Sequence, residues 1–539
     1  MNGEIILVNK LKFLAAALAA AGLLTACGGG GSDDSTGSDM SGTPGSLAHN
    51  PPQQVVALTA QQFTESLNQS AAGRTLLAEA GTPKCGVDLR YIEYGTVGGN
   101  EKAPERTNAT GALMVPTGSD PACRGPRPIV LYAHGTEGGS DYNIANIIDF
   151  SRPGGRDGAR IAALYAAQGF IVVAPNYAGY DKSQLGYHPY LNATQQSSEM
   201  RNALTAARKA LPNVGAADSG KLFVAGYSQG GYVAMATVRA MQAAGETVTA
   251  SAPMSGPYAM AAFADALFSG NVNLGATLFM PLLTTSYKKA YPELNIDTAK
   301  IYEARYATGI DTLLPSAMSW DDLVATGKLP QTALFSSTPP VTGDPATDAR
   351  LAAMTPPTGA GAADALFALG FGDGNLINNS TRLSVLMDAM TNKDGFVMGP
   401  TPDDDVAGLP AANPANSLRI AAKKNDLRGN WAPQRPMLLC GGQNDPVVFY
   451  RINTGQMAKL WAPYVASQLV TVLDVDALAA SPGPAADPFY AVKAGFAQTQ
   501  AAVAAQGGAV AVMEAYHDTL VFAFCNVAAQ GYFKQLAGI

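Results

Sequence analysis

The sequence predicts an α/β protein in which helices cover both faces of a mostly parallel central sheet. From Arg90 onwards, short apolar segments typical of buried strands alternate with segments of helical spacing. The alternation stops at about Tyr258 and resumes at about Pro436, which predicts a large, mainly helical insertion. The 539 residues, 47% of them hydrophobic, provide enough apolar side chains for one or two domains.

The predicted strands are apolar runs, some nearly continuous, as expected for strands that are buried on both faces. In chain order they are 90–94, 111–116, 128–133, 170–175, 221–225, 247–253, 436–440, 469–475 and 509–513. Apolar residues at helical spacing predict helices at 158–168, at 195–211, from the GYSQGG segment to Met241, and at 519–536.

The N-terminus has the features of an export signal. Lys10 and Lys12 precede an apolar stretch at 13–23, and Leu-Thr-Ala-Cys follows at 24–27. This ending resembles the lipobox of bacterial lipoproteins, in which the signal is cut before the cysteine and the cysteine is acylated. The alternative is an ordinary signal peptide that contains a cysteine by chance.

The lipoprotein resemblance implies that Cys27 carries lipid and, with Gly28 behind it, that the protein is sorted to the outer membrane. A segment rich in Gly, Ser and Asp follows and cannot bury enough apolar surface to fold. The predicted organisation is a signal peptide at 1–26, a flexible tether at 27–50, a first core segment at 51–257, a helical cap at 258–431 and a second core segment at 432–539. The alternative for the cap is a separate domain with its own function.

The remaining cysteines are Cys85, Cys123, Cys440 and Cys525. In an exported protein they would lie in an oxidising compartment, where disulfides form. Four cysteines allow three pairings, and the predicted neighbouring elements favour Cys85–Cys123 and Cys440–Cys525. Free buried thiols are the alternative.

The sequence Gly226-x-Ser228-x-Gly230 supplies a candidate nucleophile. A serine hydroxyl is a weak nucleophile and needs a base in hydrogen-bond contact, which in turn needs an anionic partner. The five-residue pattern alone is weak, but here it follows the predicted strand KLFVA directly and opens a helix. That placement on a strained turn between strand and helix is what the motif requires.

The base and the acid are expected later in the sequence than Ser228, because the chain order in this arrangement is nucleophile, acid, histidine. Of the four histidines, only His517 comes later in the sequence than Ser228, and it directly follows a segment predicted to be a strand. Asp445 follows the predicted strand PMLLC and is the preferred acid; Asp474 and Asp476 are the alternatives.

A negatively charged intermediate on the substrate carbonyl requires preorganised hydrogen-bond donors. One should be the backbone N–H of Gln229, the residue after the nucleophile. The other should come from the HGTEGG loop at 134–139, where the N–H of Thr136 is preferred and those of Gly135 and Glu137 are alternatives. A glycine-rich turn without a catalytic part is the other interpretation of this loop.

These features together resemble the α/β-hydrolase superfamily from about Cys85 to Ile539. The segments that carry the resemblance are the strand with HG at 134–135, GYSQGG at 226–231, GGQNDP at 441–446 and the late histidine. Within the superfamily, YAHGT at 132–136 and NWAP at 430–433 are similar to secretory lipases and bacterial carboxylesterases, some of which attack aliphatic polyesters. The resemblance implies the α/β-hydrolase fold. The chain departs from it in the large, mainly helical cap inserted before the acid-bearing strand, which matches no known pattern.

The expected activity is therefore hydrolysis of a lipid, a short-chain ester or a polyester through an acyl-enzyme on Ser228. Apolar cap residues either line an acyl site or form the cap's own core; they include Phe268, Phe279, Met280 and Leu282. The other candidates are a serine peptidase with the same triad and a non-catalytic surface-binding lipoprotein. A net charge of −7 argues against a nucleic-acid partner. No sequence motif predicts a metal or a cofactor.

Overall fold

The computed structural model describes residues 42–103, 105–359, 363–429, 431–478 and 487–539. The predicted signal peptide, the lipidation site Cys27 and the tether up to residue 41 lie outside the described residues, as does Asn430 of the NWAP motif. Within the described part of the chain, no helix is both long and apolar enough to cross a lipid bilayer.

The described residues form one mixed sheet of nine strands: β1 Gln53–Leu58, β2 Gly86–Val97, β3 Arg106–Thr117, β4 Pro126–Ala133, β5 Ile171–Pro175, β6 Ala217–Tyr227, β7 Ala250–Met254, β8 Met437–Gly441 and β9 Val470–Asp474. The strand order is β1-β2-β3-β5-β4-β6-β7-β8-β9. The pairs among β1, β2, β3 and β5 are antiparallel, and every pair from β5 onwards is parallel. The mostly parallel sheet confirms the predicted fold class.

Seventeen helices are found in the described residues: α1 Ala60–Asn68, α2 Ala71–Ala80, α3 Pro153–Leu164, α4 Ala193–Ala210, α5 Gln229–Ala243, α6 Met260–Phe268, α7 Ala276–Ala290, α8 Thr298–Ile301, α9 Ala304–Ala307, α10 Trp320–Ala325, α11 Pro345–Ala353, α12 Ala363–Ala368, α13 Asn379–Thr391, α14 Ser417–Lys424, α15 Gln456–Trp461, α16 Tyr490–Ala515 and α17 Phe522–Ala537. Helices α4 and α5 pack on each other and on the sheet, and α17 packs on β6, β7 and β8 beside α2 and α3. Side chains of the central strands, such as Val130 and Val224, are therefore completely buried.

The insertion contains α6 to α14 and lies between Met254, where β7 ends, and Met437, where β8 begins. Its buried side chains, among them Tyr287 and Leu323, belong to the same continuous hydrophobic core as the strands. The insertion and the sheet therefore form one compact unit, and we call residues 255–436 the cap.

Two sequence expectations are wrong at the ends of the chain. Residues 509–513, predicted as a strand, belong to α16, which is broken only at Gly508 with φ of 69°. Alternating Ala and Val fit either structure in sequence, but the whole segment is rich in alanine, the residue with the highest helix propensity.

The second correction concerns the tether, which the sequence analysis extended to residue 50. The amides of Gly45 and Ala48 donate to the carbonyl oxygens of Gly95 and Glu93 at 2.9 Å, so the chain runs along β2. A glycine is required at position 95, because a Cβ there would lie 2.6 Å from the carbonyl oxygen of Thr43. Backbone pairing fixes residues 42–50 although their side chains bury little surface.

Two disulfide bonds join elements that are distant in sequence. Cys85 pairs with Cys123, and Cys440 pairs with Cys525, as the order of the predicted elements favoured. The second bond links β8 to α17, so it joins the strand before the Asp445 loop to the helix that follows His517.

Candidate active site

Ser228 occupies a sharp turn between β6 and α5. Its backbone has φ of 59° and ψ of −122°, a conformation that costs free energy for a residue with a side chain. The flanking glycines make the turn possible, because a Cβ on Gly226 would lie 2.1 Å from the carbonyl oxygen of Gly230, and a Cβ on Gly230 would lie 2.0 Å from that of Ala133. Ser228 itself is half-buried and lines a cavity.

The structure brings Ser228, His517 and Asp445 together. His517 Nε2 lies 2.8 Å from Ser228 Oγ, and His517 Nδ1 lies 2.7 Å from Asp445 Oδ2. Because the carboxylate only accepts hydrogen bonds, Nδ1 carries the proton and Nε2 is free to accept the serine proton. His517 follows α16 in a short π-helical turn, Tyr516–Val521, and not a strand as the sequence suggested.

The Asp445 carboxylate is completely buried and receives several hydrogen bonds. Ser255 Oγ donates to Oδ2 at 2.7 Å, and the amides of Val447 and Val448 donate to Oδ1 at 2.9 and 3.0 Å. Ser255 follows β7 directly, and the sequence analysis did not identify it, since a lone serine after a strand carries no recognisable pattern. These donors hold the carboxylate in the orientation that meets His517.

Two effects act in opposite directions on the pKa of His517. Burial lowers it, because an imidazolium is poorly solvated there, whereas the Asp445 carboxylate raises it through its charge and its hydrogen bond. The carboxylate prevails, so the pKa of His517 lies above its ordinary value. The ring can therefore take up a proton within the protein interior.

The alternative acids, Asp474 and Asp476, do not contact the His517 ring but hold the loop that carries Asp445. The amide of Gln443 donates to Asp474 at 3.0 Å. Asp476 Oδ2 accepts from the Tyr516 hydroxyl at 2.6 Å, and the same hydroxyl accepts from the amide of Asn444 at 3.1 Å. Tyr516, which precedes His517, is thus bound to Asn444, which precedes Asp445.

The two residues predicted to supply oxyanion donors, Gln229 and Thr136, both lie in the wall of the cavity that contains Ser228. Gln229 is the first residue of α5, so its N–H has no acceptor within the helix. Thr136 lines the same cavity as Ser228 and Gln229. The alternative Gly135 is also adjacent, since a Cβ there would lie 3.8 Å from Ser228 Cβ.

Three tyrosines hold the HGTEGG loop from the segment after β5. The Tyr177 hydroxyl donates to the carbonyl oxygen of His134 at 3.0 Å, and the Tyr180 hydroxyl donates to that of Glu137 at 2.6 Å. The Tyr190 hydroxyl lies 2.9 Å from the Thr136 hydroxyl. These contacts fix His134, Thr136 and Glu137 in the absence of a substrate, and preorganised donors are what an oxyanion-stabilising role of this loop would require.

Two other histidines are buried near the site and are neutral. Burial lowers the pKa of His134 to about 4 and that of His188 to about 3. The His134 ring stacks on Tyr177 with 4.1 Å between ring centroids. Neither ring contacts Ser228 Oγ, so both serve the architecture around the site.

An apolar cavity extends from Ser228 into the cap. Its walls include Met260, Phe263, Leu267, Phe268, Phe279, Met280, Leu283, Val385 and Leu418. Of the cap residues singled out in the sequence, Phe268, Phe279 and Met280 line the cavity, whereas Leu282 is buried elsewhere in the cap core. The described residues contain no group of His, Cys, Asp and Glu arranged to hold a metal ion.

Comparisons with known proteins place this geometry in a fold. The profile of the prolyl oligopeptidase family matches residues 158–275, less than half of the chain, including Ser228 but neither Asp445 nor His517. The rice cell wall degrading esterase LipA from Xanthomonas oryzae is 24% identical, with a TM-score of 0.59 over 80% of this chain and 91% of LipA. A protein from Legionella pneumophila is 19% identical, with a TM-score of 0.56 over 80% of this chain and 92% of its own. No protein with a curated description is significantly similar in sequence.

The chain has the α/β-hydrolase fold. The fold class predicted from the motifs is thereby confirmed, and the cap is an insertion into this fold between β7 and β8. The tyrosines after β5 and Ser255 are the parts of the site that the motifs did not indicate.

The pKa of His517 predicts how the reactivity of Ser228 depends on pH. Modification of Ser228 by a fluorophosphonate should accelerate as pH rises through a midpoint above 6.5, because the imidazolium cannot accept the serine proton. In Asp445→Asn the midpoint should fall, since burial then acts without the opposing carboxylate. A wild-type midpoint below 6.5, measured by labelling rate and mass spectrometry, would contradict this.

Proposed function

We propose that this protein is a serine esterase that cleaves carboxylic esters through an acyl-enzyme on Ser228. The observation that carries the proposal is the position of His517 within hydrogen-bond reach of both Asp445 and Ser228, which itself lines an apolar cavity. A nucleophile, its base and the orienting carboxylate are the parts that acyl transfer requires.

In the proposed reaction Ser228 Oγ attacks the ester carbonyl carbon while His517 Nε2 takes the hydroxyl proton. The carbonyl oxygen becomes negative and is held by the N–H groups of Gln229 and Thr136. Collapse of this intermediate breaks the bond to the alcohol, which leaves with the proton from His517. A water molecule then attacks the acyl-enzyme with His517 again as the base, and the carboxylic acid is released.

The cavity supports an ester with an apolar acyl chain as substrate. Its side chains come mainly from cap helices, and nearly all are aliphatic or aromatic. Lipids, short-chain esters and aliphatic polyesters share this apolar acyl part. LipA, which has the same fold, is described as a rice cell wall degrading esterase, and we extend only the ester-cleaving activity to this protein.

A serine peptidase is the second candidate, because the matching family profile is that of prolyl oligopeptidases. The matched residues contain the turn around Ser228, which both kinds of enzyme need, so the profile alone does not separate them. The apolar cavity favours the ester.

The ester and the peptidase proposals differ in the turnover of matched substrates. Wild-type protein should hydrolyse p-nitrophenyl acyl esters much faster than aminoacyl p-nitroanilides, and Ser228→Ala should lose roughly 10⁴-fold or more in kcat. Equal or faster amide turnover would overturn the esterase proposal. Retention of ester turnover in Ser228→Ala would exclude Ser228 as the nucleophile.

The neighbouring residues Leu282 and Leu283 allow a matched test of the acyl site. Leu283→Ala should shift preference towards longer acyl chains, because Leu283 lines the cavity. Leu282→Ala should leave the chain-length profile unchanged but cost about 2–5 kcal/mol of unfolding free energy, since Leu282 is buried outside the cavity. The measurement is kcat/KM from acetyl to palmitoyl esters; identical profiles in both variants would place the acyl chain elsewhere.

We further propose that the protein is exported and anchored in the outer membrane through lipid on Cys27. Two disulfides in the described residues support an oxidising compartment. The Leu-Thr-Ala-Cys ending of the N-terminal segment supports acylation. An anchored esterase would meet its lipid or polymer substrate at the cell surface.

The anchor can be tested by fractionation of the full-length chain expressed in a bacterium with an outer membrane. Wild type should sediment with the outer membrane and incorporate labelled palmitate. Cys27→Ser should lose the label and leave the membrane fraction, and an inhibitor of lipoprotein signal peptidase should block maturation of the wild type only. Membrane association of Cys27→Ser without label would refute acylation at this residue.

A further inference from the structure

A buried tyrosine joins the turn of the nucleophile to the main chain of the base. Tyr227 is the last residue of β6 and directly precedes Ser228. Its side chain is buried, and its hydroxyl lies 2.6 Å from the carbonyl oxygen of His517. Because a carbonyl oxygen only accepts, the single hydroxyl proton is donated by Tyr227. The residue before the nucleophile is therefore hydrogen-bonded to the base across 290 positions of the sequence.

The ring of Tyr227 also packs beside the imidazole. The centroids of the Tyr227 and His517 rings are 5.0 Å apart, and Phe522 meets the tyrosine ring edge-on at 5.1 Å. The hydroxyl oxygen lies 3.4 Å from His517 Nδ1, but the Nδ1 proton is directed at Asp445, which is closer at 2.7 Å. Tyr227 thus contacts both the main chain and the ring of the base.

The segment that carries the base needs to be fixed from the side of the nucleophile. His517 lies in the π-helical turn Tyr516–Val521, a rare and irregular kind of turn, between α16 and α17. The Tyr516 hydroxyl binds the amide of Asn444 and so ties this turn to the acid-bearing loop after β8. That contact does not set the distance to the nucleophile, which follows β6. The Tyr227 hydroxyl does, because Tyr227 ends β6.

We propose that Tyr227 is a positioning residue that holds His517 at hydrogen-bond distance from Ser228. This inference rests on the proposed esterase function. The contacts form a closed ring: Ser228 Oγ meets His517 Nε2, the His517 carbonyl oxygen meets the Tyr227 hydroxyl, and a peptide bond joins Tyr227 to Ser228. A rotation of the turn that withdrew the imidazole from Ser228 would break a buried hydrogen bond, which costs free energy.

The proposal gives a role to a position that the Gly-x-Ser-x-Gly pattern leaves free. Any apolar residue at position 227 would continue the buried strand, but it would not donate to the His517 carbonyl oxygen. Phenylalanine would keep the ring packing and lose the hydrogen bond alone. The hydroxyl can therefore be removed with little change to the shape of the core.

The proposed role has a distinct kinetic signature. His517 is the base in both the acylation and the deacylation step, so a displaced imidazole slows both steps together. Tyr227 is not among the residues that line the cavity, so substrate binding does not involve it. Loss of the hydroxyl should therefore lower kcat and leave KM unchanged.

The test compares Tyr227→Phe with Tyr306→Phe. Tyr306 is a matched control in the cap, because its hydroxyl donates to the carbonyl oxygen of Gly374 at 2.9 Å and its side chain does not line the cavity. In Tyr227→Phe, kcat on p-nitrophenyl butyrate and the rate of fluorophosphonate labelling of Ser228 should both fall roughly 10- to 100-fold. Tyr306→Phe should keep the wild-type values of both.

The thermal unfolding of both variants and the end point of labelling complete the experiment. The end point counts the active molecules, so kcat refers to folded protein. If kcat and the labelling rate of folded Tyr227→Phe equal those of wild type, the inference is wrong and the esterase proposal stands. The inference is also wrong if Tyr306→Phe loses as much activity, because the loss then follows stability, or if Tyr227→Phe raises KM and keeps kcat.

Failure of the esterase proposal would be seen separately. If wild type hydrolyses no ester, that proposal fails, but Ser228 can still be labelled by the fluorophosphonate. Slower labelling of Tyr227→Phe than of Tyr306→Phe would then still support the positioning role, and equal rates would overturn it.

Discussion

A buried imidazole loses proton affinity unless a negative charge lies beside it, and this constraint governs the architecture around His517. Asp445 supplies the charge, and its own burial demands donors for its other lone pairs. Ser255 and the amides after Asp445 provide them. The proposed base can therefore act only if three separate stretches of chain meet with an accuracy of about 0.5 Å.

The parallel sheet supplies that accuracy. Strands β6, β7 and β8 are neighbours that run in the same direction, so the residues that follow them emerge at one edge. Ser228, Ser255 and Asp445 are those residues. The Cys440–Cys525 bond and the Tyr516–Asp476 hydrogen bond then tie the histidine segment to the same edge. The cap adds an apolar cavity to a site whose polar parts are already fixed.

The sequence predicted the parts of the site that depend on local geometry. Gly226 and Gly230 indicate the turn because no other residue fits there, and His517 was left by elimination. Ser255, Tyr190 and His188 could not be predicted, because their roles arise from contacts between segments distant in sequence. The strand predicted at 509–513 failed for a related reason: the choice between helix and strand there depends on packing and helix propensity, which the apolar alternation does not express.

The central claim is that His517, oriented by Asp445, makes Ser228 a nucleophile that forms an acyl-enzyme. Acid quenching of wild-type protein during turnover of a p-nitrophenyl ester, followed by peptide mapping by mass spectrometry, tests it most directly. The account predicts that the mass of the acyl group is added to the peptide that contains Ser228. Turnover without any acylated peptide, or an acyl group on another residue, would contradict it.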